Sequence, residues 1–207
     1  AEQNSLRLCH TPKYKKKVNT MPSKQKQLTL LLATACLFPS ITLAESNFSY
    51  DFYEVGISST TADDESYTSL SANGSMEINN DHYITAKIKS DIAGETTANE
   101  IGVGIGAYKS SSEETDYYSR AGIKHGKQGG SSQQTLNVGF GARHQMSDVI
   151  ELQGGIDLLF STDEDFSGVA GNISALYEID ETIQVGGTVT TDGNTAETSL
   201  FTRVKML

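Results

Sequence analysis

Ile84-Thr-Ala-Lys-Ile-Lys-Ser-Asp-Ile92 alternates without a break, with Ile84, Ala86, Ile88, Ser90 and Ile92 on one parity and Thr85, Lys87, Lys89 and Asp91 on the other. A period of two is the mark of a β-strand with two unlike faces. The pattern spreads both ways along the chain. Leu70, Ala72, Gly74, Met76 and Ile78 form one uncharged row, and Ile101, Val103, Ile105 and Ala107 another. Leu136, Val138, Phe140 and Ala142 continue it. So do Ile150, Leu152, Gly154, Ile156, Leu158 and Phe160, and then Val169, Gly171, Ile173, Ala175, Tyr177 and Ile179. No Lys, Arg, Asp or Glu interrupts these rows.

The opposite parity holds the charges: Glu54, Glu77, Lys87, Lys89, Asp91, Glu100, Arg120, Lys124, Arg143, Glu151, Asp157, Glu178, Glu197, Arg203 and Lys205. Acids and bases are nearly equal in number there. The alternation resolves into about ten segments, 48–58, 67–78, 82–92, 99–109, 116–126, 135–145, 149–160, 167–179, 183–190 and 195–206, each near the length a tilted membrane-crossing strand needs. Asn79-Asn80-Asp81, Met146-Ser147-Asp148 and Asp180-Glu181-Thr182 read as tight turns. The intervening connections, Ser59 to Ser66, Ala93 to Ala98, Lys127 to Gln134 and Ser161 to Phe166, read as longer polar loops, and Ser110 to Thr115 as a turn longer than its class prefers. Short turns at one end and longer loops at the other is the threading of outer-membrane barrels.

A soluble β-sandwich also alternates, with its apolar face inward. Two features favour lipid outside: the apolar side is plain aliphatic and small over whole strands, and the polar side is rich in Gly. An Arg or Lys facing mid-membrane costs roughly 2–4 kcal/mol, which explains the clean rows. Backbone groups in hydrocarbon have no water to pair with, so an open edge is excluded. The expected fold is an all-β, closed antiparallel up-and-down transmembrane β-barrel of ten strands. Eight strands is the alternative if the first hairpin or the two weakest segments are misread.

The chain has 207 residues, 37% of them hydrophobic, with 19 Gly, 3 Pro and no Trp. That length fits one domain, and apolar content below the usual level argues against a Leu-rich helical bundle. From Met21, a basic segment with Lys24 and Lys26 leads into an apolar run, Leu28 to Phe38, then Pro39 and the small-residue ending Thr42-Leu43-Ala44. This predicts a signal peptide over 21–44 with cleavage after Ala44, the run being short for a spanning helix. Residues 1–20 carry Lys15-Lys16-Lys17 without apolar period and are expected to be an upstream extension without folded structure, not a basic nucleic-acid arm. Cys36 follows Ala33-Thr34-Ala35, a poor context for lipidation. The barrel is expected over 45–207.

Of 16 basic and 26 acidic residues, residues 1–44 hold seven and one, leaving nine against twenty-five, a formal −16. Such an acidic chain does not suit nucleic acid. Both Cys9 and Cys36 lie in the leader, so no disulfide, thiol nucleophile or Cys-bound metal is expected beyond it. The acidic runs Asp63-Asp64-Glu65 and Asp163-Glu164-Asp165 lack the spaced Asp/Gly pattern of a calcium loop, so no metal or cofactor site is expected.

Inside the barrel, opposite charges are expected to pair between strands, because unpaired charge away from bulk water is costly. Glu77 is expected to face Lys87 and Lys89. The Gly102, Gly104 and Gly106 row is expected to leave room for Lys87, Lys89 and Arg120, with Gly139 and Gly141 doing the same beside Arg143. Small barrels fill with side chains, which favours a packed polar core or a very narrow pore; the Gly content keeps a small-solute channel as the alternative. Tyr53, Tyr117 and Tyr177 are expected to face lipid at the periplasmic end and Phe160 at the outer end, as a sparse girdle. Hydrolysis needs a base near a nucleophile, and the three His beyond the leader, His82, His125 and His144, fall at different ends of the threading. No enzyme activity is expected.

Phe48-Ser-Tyr-Asp-Phe-Tyr-Glu-Val-Gly-Ile57, Ile101-Gly-Val-Gly-Ile-Gly106 and Ser147-Asp-Val-Ile-Glu-Leu-Gln-Gly-Gly155 resemble stretches of small Gram-negative outer-membrane β-barrel proteins. The likeness is broadly to the OmpA/OmpX-like class, and within it to ten-stranded barrels of marine gammaproteobacteria. It covers essentially 45–207. It implies location in the outer membrane, contact with its lipid and lipopolysaccharide, insertion by the outer-membrane assembly machinery, and a monomer. The chain lacks the Asp-x-His element associated with omptin proteases and the His-x-Ser element of a lipid A deacylase. It also departs at its end, where Lys205 and Leu207 stand in place of the aromatic residues such barrels usually present to that machinery.

Overall fold

The computed structural model describes residues 47–62, 65–79, 81–93, 98–128, 131–161 and 167–206. The leader, its cleavage point, and the acidic runs at 63–64 and 163–165 lie outside the described residues. Ten strands follow in order: β1 Phe52–Ala62, β2 Glu65–Asn79, β3 His82–Ala93, β4 Ala98–Ser112, β5 Thr115–Gln128, β6 Ser131–Ser147, β7 Ile150–Ser161, β8 Ser167–Glu178, β9 Ile183–Thr191 and β10 Thr195–Lys205. Each pairs antiparallel with its sequence neighbours, and β10 returns to β1 from Phe52 opposite Lys205 to Ala62 opposite Thr195. The sheet is one closed barrel. A sandwich of two facing sheets is thereby overturned, as is the eight-strand count, because the first hairpin and the last two segments all stand in the ladder.

Four stretches differ from the sequence reading. The first strand begins at Phe52, not residue 48, because the preceding residues turn into the barrel mouth, where Phe48 and Tyr50 are buried. The stretches Ser59 to Ser66 and Lys127 to Gln134 are mostly ladder, with β1 reaching Ala62 and β5 reaching Gln128. Their Ser and Thr side chains looked loop-like, yet backbone pairing needs only an extended chain, and Thr is β-branched and suits it. The supposed long turn Ser110 to Thr115 is tight, with Ser112 opposite Thr115 after a register shift. The two ends of the barrel therefore differ less in loop length than expected.

Short polar side chains fix the turns. Between β8 and β9 the Asp180 carboxylate accepts bonds from the Thr182 hydroxyl, the Thr182 amide and the Ile183 amide, each at 2.8 Å. These donors, the hydroxyl foremost, hold its pKa below the usual carboxylate range. Between β9 and β10, Asp192 accepts from the Thr195 amide at 2.8 Å, and Gly193 takes the left-handed conformation with φ +92°.

The uncharged rows face out. Ile88 is 58% exposed, Ile173 61% and Leu200 66%, with Leu70, Val103 and Ile156 similar. Val138 shares this parity but is buried, lying opposite Ala121 and Leu158 on the flanking strands. Tyr53, Tyr117 and Tyr177 point outward near the end where both chain termini of the barrel lie.

Glycines on the inner face make room for tyrosines. Tyr83 on β3 lies opposite Gly106 on β4, and a Cβ at Gly106 would strike its ring. Tyr118 sits the same way opposite Gly141. Gly106→Ala should therefore destabilise the barrel by about 1–3 kcal/mol, the usual range for overpacking. Urea unfolding in lipid vesicles should show that loss in the single variant, and a smaller cost for Gly106→Ala when it is measured in a Tyr83→Ala background.

Candidate functional site: a charged lumen closed at one end

The seven bases of the polar parity each meet an acid. Arg203 reaches Glu54 at 2.7 Å and Arg143 reaches Glu151 at 2.7 Å, both across adjacent strands. Arg120 on β5 pairs with Asp157 on β7, through Nε at 3.0 Å. It passes over β6 at Gly139, where a Cβ would meet both partners. Lys205 reaches Glu178 at 2.6 Å, passing β9. Lys89 crosses from β3 to Glu197 on β10 at 2.7 Å, and Glu100 is shared by Lys124 at 3.3 Å and Lys87 at 3.6 Å.

The partners expected for Glu77 are not the ones it has. Glu77 accepts the Tyr108 hydroxyl at 2.7 Å. The register puts Lys87 opposite Asn73 and Lys89 opposite Ser71, several residues up the strand, and so out of reach. Asp91 accepts from the Ser69 hydroxyl. Along the glycine row, Gly106 accommodates Tyr83 and Gly104 lies against Thr85, while Gly102 stands opposite Lys87 and beside Lys124.

The two halves of the lumen differ. Toward the β1 start, where the turns join β2 to β3 and β4 to β5, most of the charged side chains are buried. Arg143, Glu151 and Arg203 are nearly inaccessible, and Asp116 is fully so. Residues 47–51 cross this mouth from β1 to the β4–β5 turn, where the Asn47 side chain donates to the Glu113 carbonyl at 3.0 Å. The Tyr50 ring stacks on Tyr108 at 3.9 Å between centroids and on Tyr83 at 4.9 Å. Its hydroxyl donates to Asp116 at 3.3 Å. Phe48 and Tyr50 both lie 4.7 Å from the Arg143 guanidinium, which donates to the Ser49 carbonyl at 3.0 Å. Burying two such rings contributes about 1.5–3 kcal/mol each, and each ring pair about 0.5–1.5 more. In the other half, Lys87, Arg120 and Lys124 remain 42%, 39% and 38% exposed. The lumen is a charged cup with a tyrosine floor.

The aromatic floor escaped the sequence reading. Its parity was legible: Tyr83 shares the side of Lys87, and Tyr118 and Asp116 share that of Arg120. Phe48 and Tyr50 carried no such signal once counted into a strand. The three histidines stay apart. His82 contacts Asn79 and His144 contacts Thr115, each at 2.9 Å near the closed end, and His125 is exposed toward the other end. Among the described residues no group of three or more His, Cys, Asp or Glu is arranged to hold a metal ion.

No protein-family model matches the chain, and no curated protein does. Solved structures with a similar outline include the KdgM porin, at 10% identity and TM-score 0.49 over 74% of this chain and 99% of that one. The NanC porin follows at 8% and 0.47, over 75% of this chain and 100% of its own. The N-terminal β-barrel domain of Pseudomonas aeruginosa OprF has 9% identity and TM-score 0.44, over 77% of this chain and 100% of that one. At such scores these likenesses bear no weight on what the chain does; the barrel rests on its own ladders.

Removing one member of a buried pair strands the other. Arg143→Met should cost about 3–5 kcal/mol in urea unfolding, and Arg143→Met with Glu151→Leu clearly less. Lys87→Met, in the exposed half, should change stability by under about 1 kcal/mol.

Proposed function

We propose that residues 45–207 form an outer-membrane β-barrel that carries no catalytic activity and serves as a structural barrel or a very narrow pore with an ion-paired interior. The observation that carries this is the distribution of faces: a closed sheet with exposed aliphatic rows all round and paired charges within. Monomeric soluble proteins rarely expose apolar patches beyond a few hundred Å², whereas hydrocarbon accommodates such a belt without penalty. Outer-membrane lipid and lipopolysaccharide are then its surroundings, a signal peptide over 21–44 its route of export, and the assembly machinery its means of insertion. The tyrosine floor and dry ion pairs favour the structural reading, while the half-exposed Lys87, Arg120 and Lys124 favour a small-solute channel as the second. Among the described residues, His82, His125 and His144 stand apart, and none is shown with both an acid and a nucleophile.

Cell fractionation with gel mobility of heated and unheated samples tests the barrel reading. The protein should appear in the outer-membrane fraction and shift on heating, and recovery in the soluble periplasm would overturn the reading. Ile88→Arg should lose roughly 2–4 kcal/mol of stability in vesicles if that position lies near the midplane. In planar bilayers the intact protein should be silent or show only rare, small steps; frequent large steps would favour the channel.

A further inference from the structure

Residues 47–51 close the barrel mouth without belonging to its wall. The seam of β1 with β10 runs from Phe52 opposite Lys205, so the strand ladder does not include them. They are held by the ring contacts of Phe48 and Tyr50, by hydrogen bonds between the wall and the Asn47 side chain, the Ser49 carbonyl and the Tyr50 hydroxyl, and by two bonds at Asp51. Those two run from the Met206 amide to the Asp51 carbonyl at 2.8 Å and from the Glu77 amide to its carboxylate.

Their seat is complete without them. Arg143 keeps both bonds to Glu151, at 2.7 and 3.1 Å, so its charge stays compensated when the rings leave. Tyr108 keeps its bond to Glu77. What departure exposes is the Arg143 Nη1 that held Ser49, the Asp116 oxygen that held Tyr50, the Glu77 and Met206 amides that met Asp51, the Glu113 carbonyl that met Asn47, and ring faces, and water at the mouth can solvate these polar groups. Above the floor lies the cup, already reached by solvent at Lys87, Arg120 and Lys124.

We propose that Asn47–Asp51 is a releasable stopper, and that its displacement joins the cup to the opposite mouth in a path wide enough for small hydrated ions. Tyr83, Tyr118 and the Arg143–Glu151 pair still narrow that path, so larger solutes stay excluded. The proposal rests on the membrane reading above.

The test compares the full chain, recovered from membranes, with two variants: Phe48→Ser with Tyr50→Ser, and a deletion of residues 47–50. Heat-dependent gel mobility reports folding, and planar-bilayer recording reports conduction in potassium chloride. Folded variants should spend at least tenfold more time in discrete open steps than the parent. A folded variant with the same record as the parent overturns the stopper, whether both are silent or both conduct. Failure of both variants to fold overturns it too, since a releasable segment cannot be required for the wall. Loss of the heat shift in the parent would instead defeat the membrane reading.

Discussion

The seam between β1 and β10 decides everything else about this chain. Ten antiparallel strands laid flat would leave two rows of unpaired amides and carbonyls at the edges. In hydrocarbon each unsatisfied group costs several kcal/mol, and among the described residues there is no helix to cover them. Pairing from Phe52 with Lys205 to Ala62 with Thr195 removes both edges at once. Closure then creates an inside, and the inside determines where charge can go.

Once there is an inside, the alternation has only one consistent assignment. A slip of one residue in any strand would send a row such as Lys87, Lys89 and Asp91 out and Ile84, Ile88 and Ile92 in. The charges kept within are balanced locally, each base meeting an acid on a near strand or across the lumen. Arg120 and Asp157 stand on strands that are not neighbours, and the strand between carries Gly139 beneath them. The balance is graded along the axis. Near the β1 start, Arg143–Glu151 and Arg203–Glu54 are buried with aromatic rings against each guanidinium, while Lys87, Arg120 and Lys124 are the most exposed of the paired bases. A barrel with one sealed and one wet half is thus polar throughout without being open throughout.

Fold class and strand number were legible because both rest on a period of two, which survives without knowledge of partners. Exact pairings were not. Whether Glu77 meets Lys87 or Tyr108 depends on register, and register is set jointly by turns and bulges, such as the shift between Glu77 and Asn79. The Thr60-Thr61 and Ser131-Ser132 stretches were misread as loops for a related reason: their side chains are polar, but the ladder uses the backbone. The crossing of Phe48 and Tyr50 beneath the lumen was the least legible feature. Nothing in local alternation distinguishes an aromatic that extends a strand from one that leaves it to cap a mouth.

The chain contains no Trp, which makes a single introduced Trp an unambiguous reporter of what surrounds it. Ile84 and Tyr83 are adjacent in β3, the first exposed and the second buried in the lumen. In vesicles of lipid brominated along the acyl chain, the fluorescence of Ile84→Trp should be strongly quenched and that of Tyr83→Trp nearly untouched. Equal quenching at the two positions, or none at Ile84→Trp, would contradict a barrel whose uncharged face meets hydrocarbon.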